Sequence, residues 1–151
     1  MNIWLSVGAL LLAYVAGSLP TAVWAGKIFH GIDIREHGSG NAGATNTIRV
    51  MGWKTGIPVL IIDLAKGFLA ASLPVILNLA PEESTLLMAL KIACGMAAIT
   101  GHVFPVLAGF KGGKGVATTF GVLLALHPWL TLICAGIFLI VLLLSGFVSL
   151  V

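Results

Sequence analysis

Residues 38–49 read GSGNAGATNTIR, a polar and glycine-rich stretch between segments that are almost wholly hydrophobic. Its glycines allow backbone conformations that expose successive N–H groups, and its neutral polar side chains add hydrogen-bonding partners. These residues are Gly38, Gly40 and Gly43, with Ser39, Asn41, Thr45 and Asn46. Arg49 adds a permanent positive charge. The stretch predicts a cradle for an oxyanion such as phosphate or carboxylate; the alternative, a flexible turn between two membrane helices, would need fewer residues.

The composition around this stretch is that of a membrane protein. Hydrophobic residues make up 59% of the 151 and charged residues 9%, and the mean hydropathy is +1.11. Soluble domains carry about a quarter charged residues. We therefore predict an all-α, polytopic transmembrane protein that forms a single membrane domain over residues 1–151. Cys94 and Cys134 fall inside apolar segments, so neither a disulfide nor a metal site is indicated, and no cofactor is expected.

About five spans fit the hydrophobic pattern, since one crossing takes about 20 residues. Residues 1–26 carry no charged side chain, and Pro20 should bend the far end of this first span. The uncharged run at 115–151 is too long for one crossing and is interrupted by Pro128. The predicted spans are 1–26, 55–79, 85–108, and a short and a longer helix within 115–151.

The charges predict the orientation. Six of the eight basic residues lie in two segments, about 27–54 and 109–115, while the turn between them carries Glu82 and Glu83. By the positive-inside rule the two basic loops are cytoplasmic and the N-terminus lies outside. The net charge of +3 then reflects topology and not a nucleic-acid partner, and the loops should attract anionic lipids and anionic substrates.

Asp63 and Lys66 lie three residues apart in the second span, on one helical face where each can neutralise the other. The sequence leaves two roles open for them: a brace in a polar cavity beneath the loops, or a structural pair that fixes helix packing. Lys91 has no partner nearby in sequence, and we expect its side chain to extend toward the outer headgroups.

Familiar nucleotide and acyltransferase motifs do not apply. Residues 38–43 match G-x-G-x-x-G, but no βαβ unit surrounds them, and Asp63, at the spacing of a ribose-binding acid, is inside a span. Lys114 is followed by Gly115 and not by Ser or Thr, which argues against a P-loop. No histidine precedes an aspartate at the H-x-x-x-x-D spacing, which is the catalytic dyad familiar from soluble-loop acyl-CoA acyltransferases. His102 therefore has two open interpretations, a satisfied structural group or a residue of the site.

The second basic loop reads GFKGGKG at 109–115 and opens directly onto a predicted helix. Backbone N–H groups at a helix N-terminus bind phosphate oxygens, and nearby cations neutralise them. The candidate groups are the backbone of Gly112, Gly113 and Gly115, with the side chains of Lys111, Lys114 and Arg49. The two loops together predict a site for phosphorylated substrates.

Two segments resemble signature motifs of the bacterial acyl-phosphate:glycerol-3-phosphate acyltransferases: GSGNAGATNTIR at 38–49 and GHVFPVLAGFKGGKGVAT at 101–118. The DLAKG sequence at 63–67 resembles a further family feature. The resemblance implies a multi-pass protein of the bacterial inner membrane that makes lysophosphatidic acid for phospholipid biosynthesis. It would transfer a fatty acyl group from acyl phosphate to glycerol 3-phosphate without coenzyme A.

The resemblance also concerns the C-terminus. The family has a third cytoplasmic motif containing His, Asn and Arg, and nothing after Gly115 matches it. The chain ends in apolar residues at Val151. We therefore expect a C-terminally truncated chain that inserts into the membrane but shows little transferase activity by itself.

Acyl phosphate is an activated anhydride, so catalysis can depend on positioning two anionic substrates and stabilising charge. We expect one phosphate to be bound by the first loop, through Ser39, Asn41, Thr45 and Arg49. Lys111 and Lys114, with the backbone of 112–115, would hold the other phosphate and the carbonyl oxygen. His102 would orient a loop or relay a proton.

Two other functions stay open. The short fourth segment, 116–126, is also typical of a half-helix in a transporter or channel for an organic anion, although no internal repeat supports that function. A membrane-anchoring subunit without chemistry is the third possibility.

Overall fold

The computed structural model describes residues 3–145, which form helices and no strand. Two short 3₁₀ helices, Ile34–Glu36 and Val106–Ala108, lie in the connections. The α-helices are α1 (Ile3–Gly17), α2 (Thr21–His30), α3 (Ala44–Met51), α4 (Trp53–Ile76), α5 (Thr85–Val103), α6 (Val116–Leu126) and α7 (Pro128–Ser145). We call 31–43, between α2 and α3, the first loop, and 104–115, between α5 and α6, the second loop. The end of the chain, on which the expected truncation depends, lies outside the described residues.

The first predicted span consists of two helices and not one. α1 ends at Gly17 and α2 begins at Thr21, because Pro20 has no N–H for a helical hydrogen bond and its ring obstructs the preceding turn. The interruption at 18–20 is called the helix break below. α2 continues to His30, past the expected boundary at 26, and ends at Gly31 in the left-handed conformation.

Three stretches are long and apolar enough to cross a membrane: Ile3–His30, Trp53–Ile76 and Thr85–Ala108. The predicted second and third spans are therefore confirmed as long apolar helices. α6 ends at Leu126 and α7 begins at Pro128, so the predicted division of the last apolar run is also confirmed. A total of five crossings and an outside N-terminus remain predictions.

The polar stretch at 38–49 is only partly a loop. From Ala44 onward it forms α3, with Gly43 as the residue before the first helical turn, so Arg49 lies in the last turn of a helix. α3 contacts the start of α4, where Gly56 has no room for a side chain beside the Ile48 backbone. The predicted loop is thus a shorter loop followed by a helix packed on the second span.

Glycines allow α4 and α6 to cross with their backbones in contact. A Cβ atom at Gly67 would overlap the carbonyl oxygen of Thr118, and one at Gly121 would overlap that of Leu64. Small residues at helix crossings permit such close approach in membranes. This crossing places the N-terminus of α6, and the second loop before it, beside the middle of α4.

Lys91 does not extend toward the outer headgroups as expected. Its Nζ donates to the carbonyl oxygen of Ala125 at 2.8 Å, in the last turn of α6. The final carbonyls of a helix have no partner within it, and a cation there also interacts favourably with the helix dipole. Lys91 therefore stabilises the C-terminal end of the short helix α6.

Candidate active site

Asn46 organises the first loop from within. Its Oδ1 accepts a hydrogen bond from the Ser39 N–H at 2.9 Å. Its Nδ2 donates to three loop carbonyls, those of Ile34 at 3.3 Å, His37 at 3.0 Å and Asn41 at 3.1 Å. The residue is only 1% exposed. The expected contact between Asn46 and phosphate is therefore wrong for this structure, because the amide is already occupied by the backbone.

Replacement of Asn46 by alanine should lower the free energy of unfolding by about 1–3 kcal/mol, because buried backbone groups would lose their partners. Thermal unfolding in detergent micelles measures the loss. Asn41→Ala is the matched control, since the Asn41 side chain makes none of these bonds. Equal stability of the two variants would contradict the assigned role of Asn46.

Other polar groups of the first stretch face outward. Ser39, Thr45 and Arg49 are exposed, and Asn41 is partly buried. Gly38 and Gly40 have positive φ angles of 61° and 73°, which suit glycine. Among residues 3–145, Arg49 forms no ion pair, so its charge is available to a ligand.

The second loop folds back on the end of α5. The N–H of Gly112 donates to the Val103 carbonyl, and that of Gly113 to the His102 carbonyl, each at 3.2 Å. These two N–H groups are thus not open to phosphate, contrary to expectation. The glycines are required for another reason: a Cβ at Gly112 would overlap the His102 carbonyl, and one at Gly113 would overlap His102 Nε2.

Two kinds of group in and after the second loop remain open to a ligand: the lysine side chains, and the backbone N–H groups at the start of α6. Lys111 and Lys114 are exposed and form no ion pair within the described chain. Gly115 has φ 77° and precedes α6. The first hydrogen bond of α6 runs from Thr119 N to the Gly115 carbonyl, so the N–H groups of the initial turn have no partner within the helix.

Arg35 connects the two loops, and the sequence analysis missed this role. Its guanidinium binds Asp33 and also donates to the carbonyl of Ala108 at 2.8 Å. The hydrogen bonds from Arg35 hold the pKa of Asp33 well below its usual range, and Asp33 in turn raises the pKa of Arg35. The pair therefore stays ionised at neutral pH, and its contribution to stability is complete above the ordinary carboxyl pKa and is lost progressively as the pH falls from there through the lowered pKa of Asp33.

The predicted ion pair of the second span is confirmed and lies beneath the loops. Lys66 Nζ is 2.9 Å from Asp63 Oδ1, and the two side chains are 4% and 1% exposed. Lys66 also donates to the Leu19 carbonyl at 3.0 Å, and the Thr21 hydroxyl donates to Asp63. The Lys66 ammonium thus lies near the C-terminal end of α1, and the Asp63 carboxylate lies at the N-terminus of α2. Each charge interacts favourably with the dipole of the helix end beside it. The pair braces the helix break, so the brace interpretation and the packing interpretation both describe it in part.

His102 lies between this pair and the second loop. Its Nδ1 is 3.7 Å from Asp63 Oδ1 and 3.2 Å from the Thr118 hydroxyl. Nε2 faces Gly113. A small cleft opens here, lined by Leu19 and Pro20 of the helix break, by Thr21 at the start of α2, by Ala42 of the first loop, and by His102, Pro105, Gly112 and Gly113.

These features define a helical membrane protein in which two glycine-rich loops meet over a buried ion pair. Residues 7–151 match the family model described as Glycerol-3-phosphate acyltransferase. The chain belongs to this family, and the resemblance noted in the loop sequences is confirmed.

Relatives and solved structures agree with this assignment. A glycerol-3-phosphate acyltransferase of Chlorobaculum tepidum is 50% identical over 147 residues, covering 93% of this chain and 62% of the relative. One from Streptococcus equi subsp. zooepidemicus is 47% identical over 144 residues, with the same coverages. The chain thus spans less than two thirds of the length of these relatives.

The crystal structure of PlsY (YgiH), an integral membrane glycerol 3-phosphate acyltransferase, in its glycerol 3-phosphate form has a TM-score of 0.77 and 35% identity, covering 91% of this chain and 66% of that chain. The lysophosphatidic acid form has a TM-score of 0.73 and 33% identity, with coverages of 91% and 65%. The helical membrane fold is therefore shared with a known enzyme.

Proposed function

We propose that this protein transfers a fatty acyl group from acyl phosphate to glycerol 3-phosphate, giving lysophosphatidic acid and inorganic phosphate. The observation that carries the proposal is the placement, on joined elements, of exposed cations that form no ion pair within residues 3–145. Arg49 follows the first loop, and Lys111 and Lys114 belong to the second, which Arg35 ties to the first. Two phosphate-bearing substrates need such a concentration of positive charge.

The reaction suits these groups because the donor is already activated. The substrate hydroxyl attacks the acyl carbonyl carbon, the bond between that carbon and the phosphate oxygen breaks, and the hydroxyl proton leaves with the phosphate as hydrogen phosphate. Negative charge grows on the carbonyl oxygen and on the leaving phosphate, where fixed cations stabilise it. A protein nucleophile is not required, so positioning and charge stabilisation can supply the catalysis.

We assign one phosphate to Arg49 with the exposed hydroxyls of Ser39 and Thr45 and the amide of Asn41. We assign the other phosphate to the side chains of Lys111 and Lys114 and to the backbone N–H groups in the first turn of α6. His102 is bonded to Thr118 on one side and touches the Gly113 turn on the other, which supports loop orientation over proton relay. Asp63 and Lys66 would hold the helix break that forms the cleft wall.

The proposed location is the bacterial inner membrane, with both loops on the cytoplasmic side. The basic residues of the loops and the acidic turn at Glu82 and Glu83 support this orientation. A transporter is the weaker proposal: α6 is short, but it packs on α4 through Gly67 and Gly121, and the named relatives are acyltransferases.

Reconstitution in liposomes with labelled glycerol 3-phosphate tests the function. The assay should compare the 151-residue chain with a chimera that continues into the remaining length of the Chlorobaculum relative. We expect labelled lysophosphatidic acid when acyl phosphate is supplied, with much more from the chimera than from the 151-residue chain. Product formed only from acyl-CoA would contradict the proposed donor, and uptake of glycerol 3-phosphate without acylation would favour a transporter.

Alanine at Arg49 or at Lys114 should reduce kcat/KM by about ten- to a hundredfold, since charge-assisted bonds to phosphate contribute about 1.5–3 kcal/mol. Steady-state kinetics of the more active form measures the loss. Arg49→Lys should restore activity only in part, because an ammonium cannot form the paired bonds of a guanidinium. Lys54→Ala, at an exposed lysine of α4, is the control. Near-normal rates for both alanine variants would remove these residues from the site.

A further inference from the structure

Arg35 contacts both loops at once. Toward the first loop, its Nε and Nη2 donate to the two oxygens of Asp33 at 2.9 Å and 2.7 Å. Toward the second loop, its Nη1 donates to the Ala108 carbonyl at 2.8 Å and lies 3.4 Å from the Lys111 carbonyl. We call these contacts the Arg35 bridge. Three nitrogens of one planar group are thus used in two directions, which a lysine could not reproduce.

The bridge holds an unfavourable turn. Gly109 and Phe110, the residues between the two carbonyls, have φ angles of 65° and 60°. The left-handed conformation suits Gly109 but is costly for Phe110, and it persists only where the surroundings enforce it. Within the loop, the Phe110 N–H bonds the Pro105 carbonyl at 2.8 Å. From outside the loop, Arg35 contacts the backbone carbonyls on both sides of Gly109 and Phe110.

This turn determines where the cations of the second loop lie. Lys111 follows Phe110 directly, and Lys114 comes three residues later, after the glycines that touch His102. Lys27 offers a comparison within the same cluster. Its Nζ also approaches Asp33 Oδ2, at 3.5 Å, but in the described part of the chain it makes no hydrogen bond to the second loop.

We propose that Arg35 is a positioning residue: it fixes the second loop against the first and thereby sets the distance between the two groups that bind phosphate. The proposal rests on the acyl transfer proposed above. Arg35 itself does not hold a substrate, because its guanidinium is occupied by Asp33 and the second loop. It acts through the position of Lys111 and Lys114.

Hydrogen exchange of the second loop tests the bridge without any need for catalysis. The N–H groups of 108, 110, 112 and 113 are hydrogen bonded in this fold. In Arg35→Gln they should exchange about tenfold faster, as expected for the loss of a charged hydrogen bond. In Lys27→Gln they should exchange as in the unaltered protein. Unchanged exchange in Arg35→Gln, or equal acceleration in both variants, would overturn the proposal.

Kinetics separates positioning from a merely structural role. We expect Arg35→Gln to raise KM about tenfold for the substrate bound by the second loop, with a smaller change for the other substrate. Arg35→Lys should be intermediate, and it serves as the test variant if Arg35→Gln does not fold. Faster exchange with both KM values unchanged would overturn the positioning role. If neither the 151-residue chain nor the chimera shows acyl transfer, the proposed function fails, while the exchange result still decides whether the bridge exists.

Discussion

Replacement of Lys66 by methionine should lower the free energy of unfolding by about 3–5 kcal/mol, the range found when one partner of a buried ion pair is removed. Asp63 would be left as an almost fully buried carboxylate without a cation, and the Leu19 carbonyl would lose a donor. The helix break would lose its brace, so we expect acyl transfer to fall as well. Thermal unfolding in detergent micelles and the liposome assay measure the two effects.

The double variant Asp63→Asn with Lys66→Met is the informative control. Because neither charge remains, it should recover much of the stability lost in Lys66→Met alone. The asparagine can still accept the hydrogen bond from Thr21. Lys54→Met, at an exposed position of the same helix, should change stability by less than about 1 kcal/mol. If Lys66→Met lowered the free energy of unfolding by as little as this, the proposed bracing of the helix break by Lys66 would be contradicted.

Alanine at Gly67 should also have a large effect, through packing and not through charge. The new methyl group would overlap the Thr118 carbonyl, which is backbone and cannot rotate away. α4 and α6 would have to separate, at a cost of about 1–3 kcal/mol or more. The start of α6 follows Lys114, so we expect a fall in kcat/KM in addition to a lower unfolding temperature. Gly121→Ala, on the facing helix, should behave in the same way.

Two glycines elsewhere provide matched controls for this prediction. Gly8 in α1 and Gly136 in α7 have nothing within 4 Å of an added Cβ. Alanine at either position should be neutral or stabilise the helix by up to about 1 kcal/mol. If Gly67→Ala were as harmless as Gly8→Ala, the close crossing of α4 and α6 would be wrong.

The helices could be predicted from sequence because a lipid environment leaves few alternatives to a helix for an apolar chain. Hydropathy located α4 and α5, and Pro128 marked the division between α6 and α7. The same reasoning failed at Pro20, where a bend was expected and a break occurs. The break depends on Asp63 and Lys66, which lie more than forty residues away in sequence and replace the missing helical contacts.

The site shows where residue type is insufficient. Asn46 and Asn41 carry the same amide five residues apart in sequence, yet the Asn46 side chain bonds the loop backbone and the Asn41 side chain is partly exposed. Only the folded path of the loop decides between them. The i, i+3 spacing of Asp63 and Lys66 did predict an ion pair, because both groups share one helix. Arg35 was missed because its partners in the second loop are 73 and 76 residues away, although the nearby Asp33 was a visible signal.

Lys66, which is buried, and Lys91, which is half-buried, differ in when their acceptors are synthesised. A charged residue near the centre of an inserting helix costs about 2.5–3.5 kcal/mol. Lys66 emerges after its acceptor, the Leu19 carbonyl, has already been made, and Asp63 follows Thr21 in the same way. The acceptor of Lys91, the Ala125 carbonyl, is instead synthesised 34 residues after the lysine. Since membrane chains are built from the N-terminus, we expect the first two spans to associate during translation, whereas α5 reaches its final environment only after α6 has arrived.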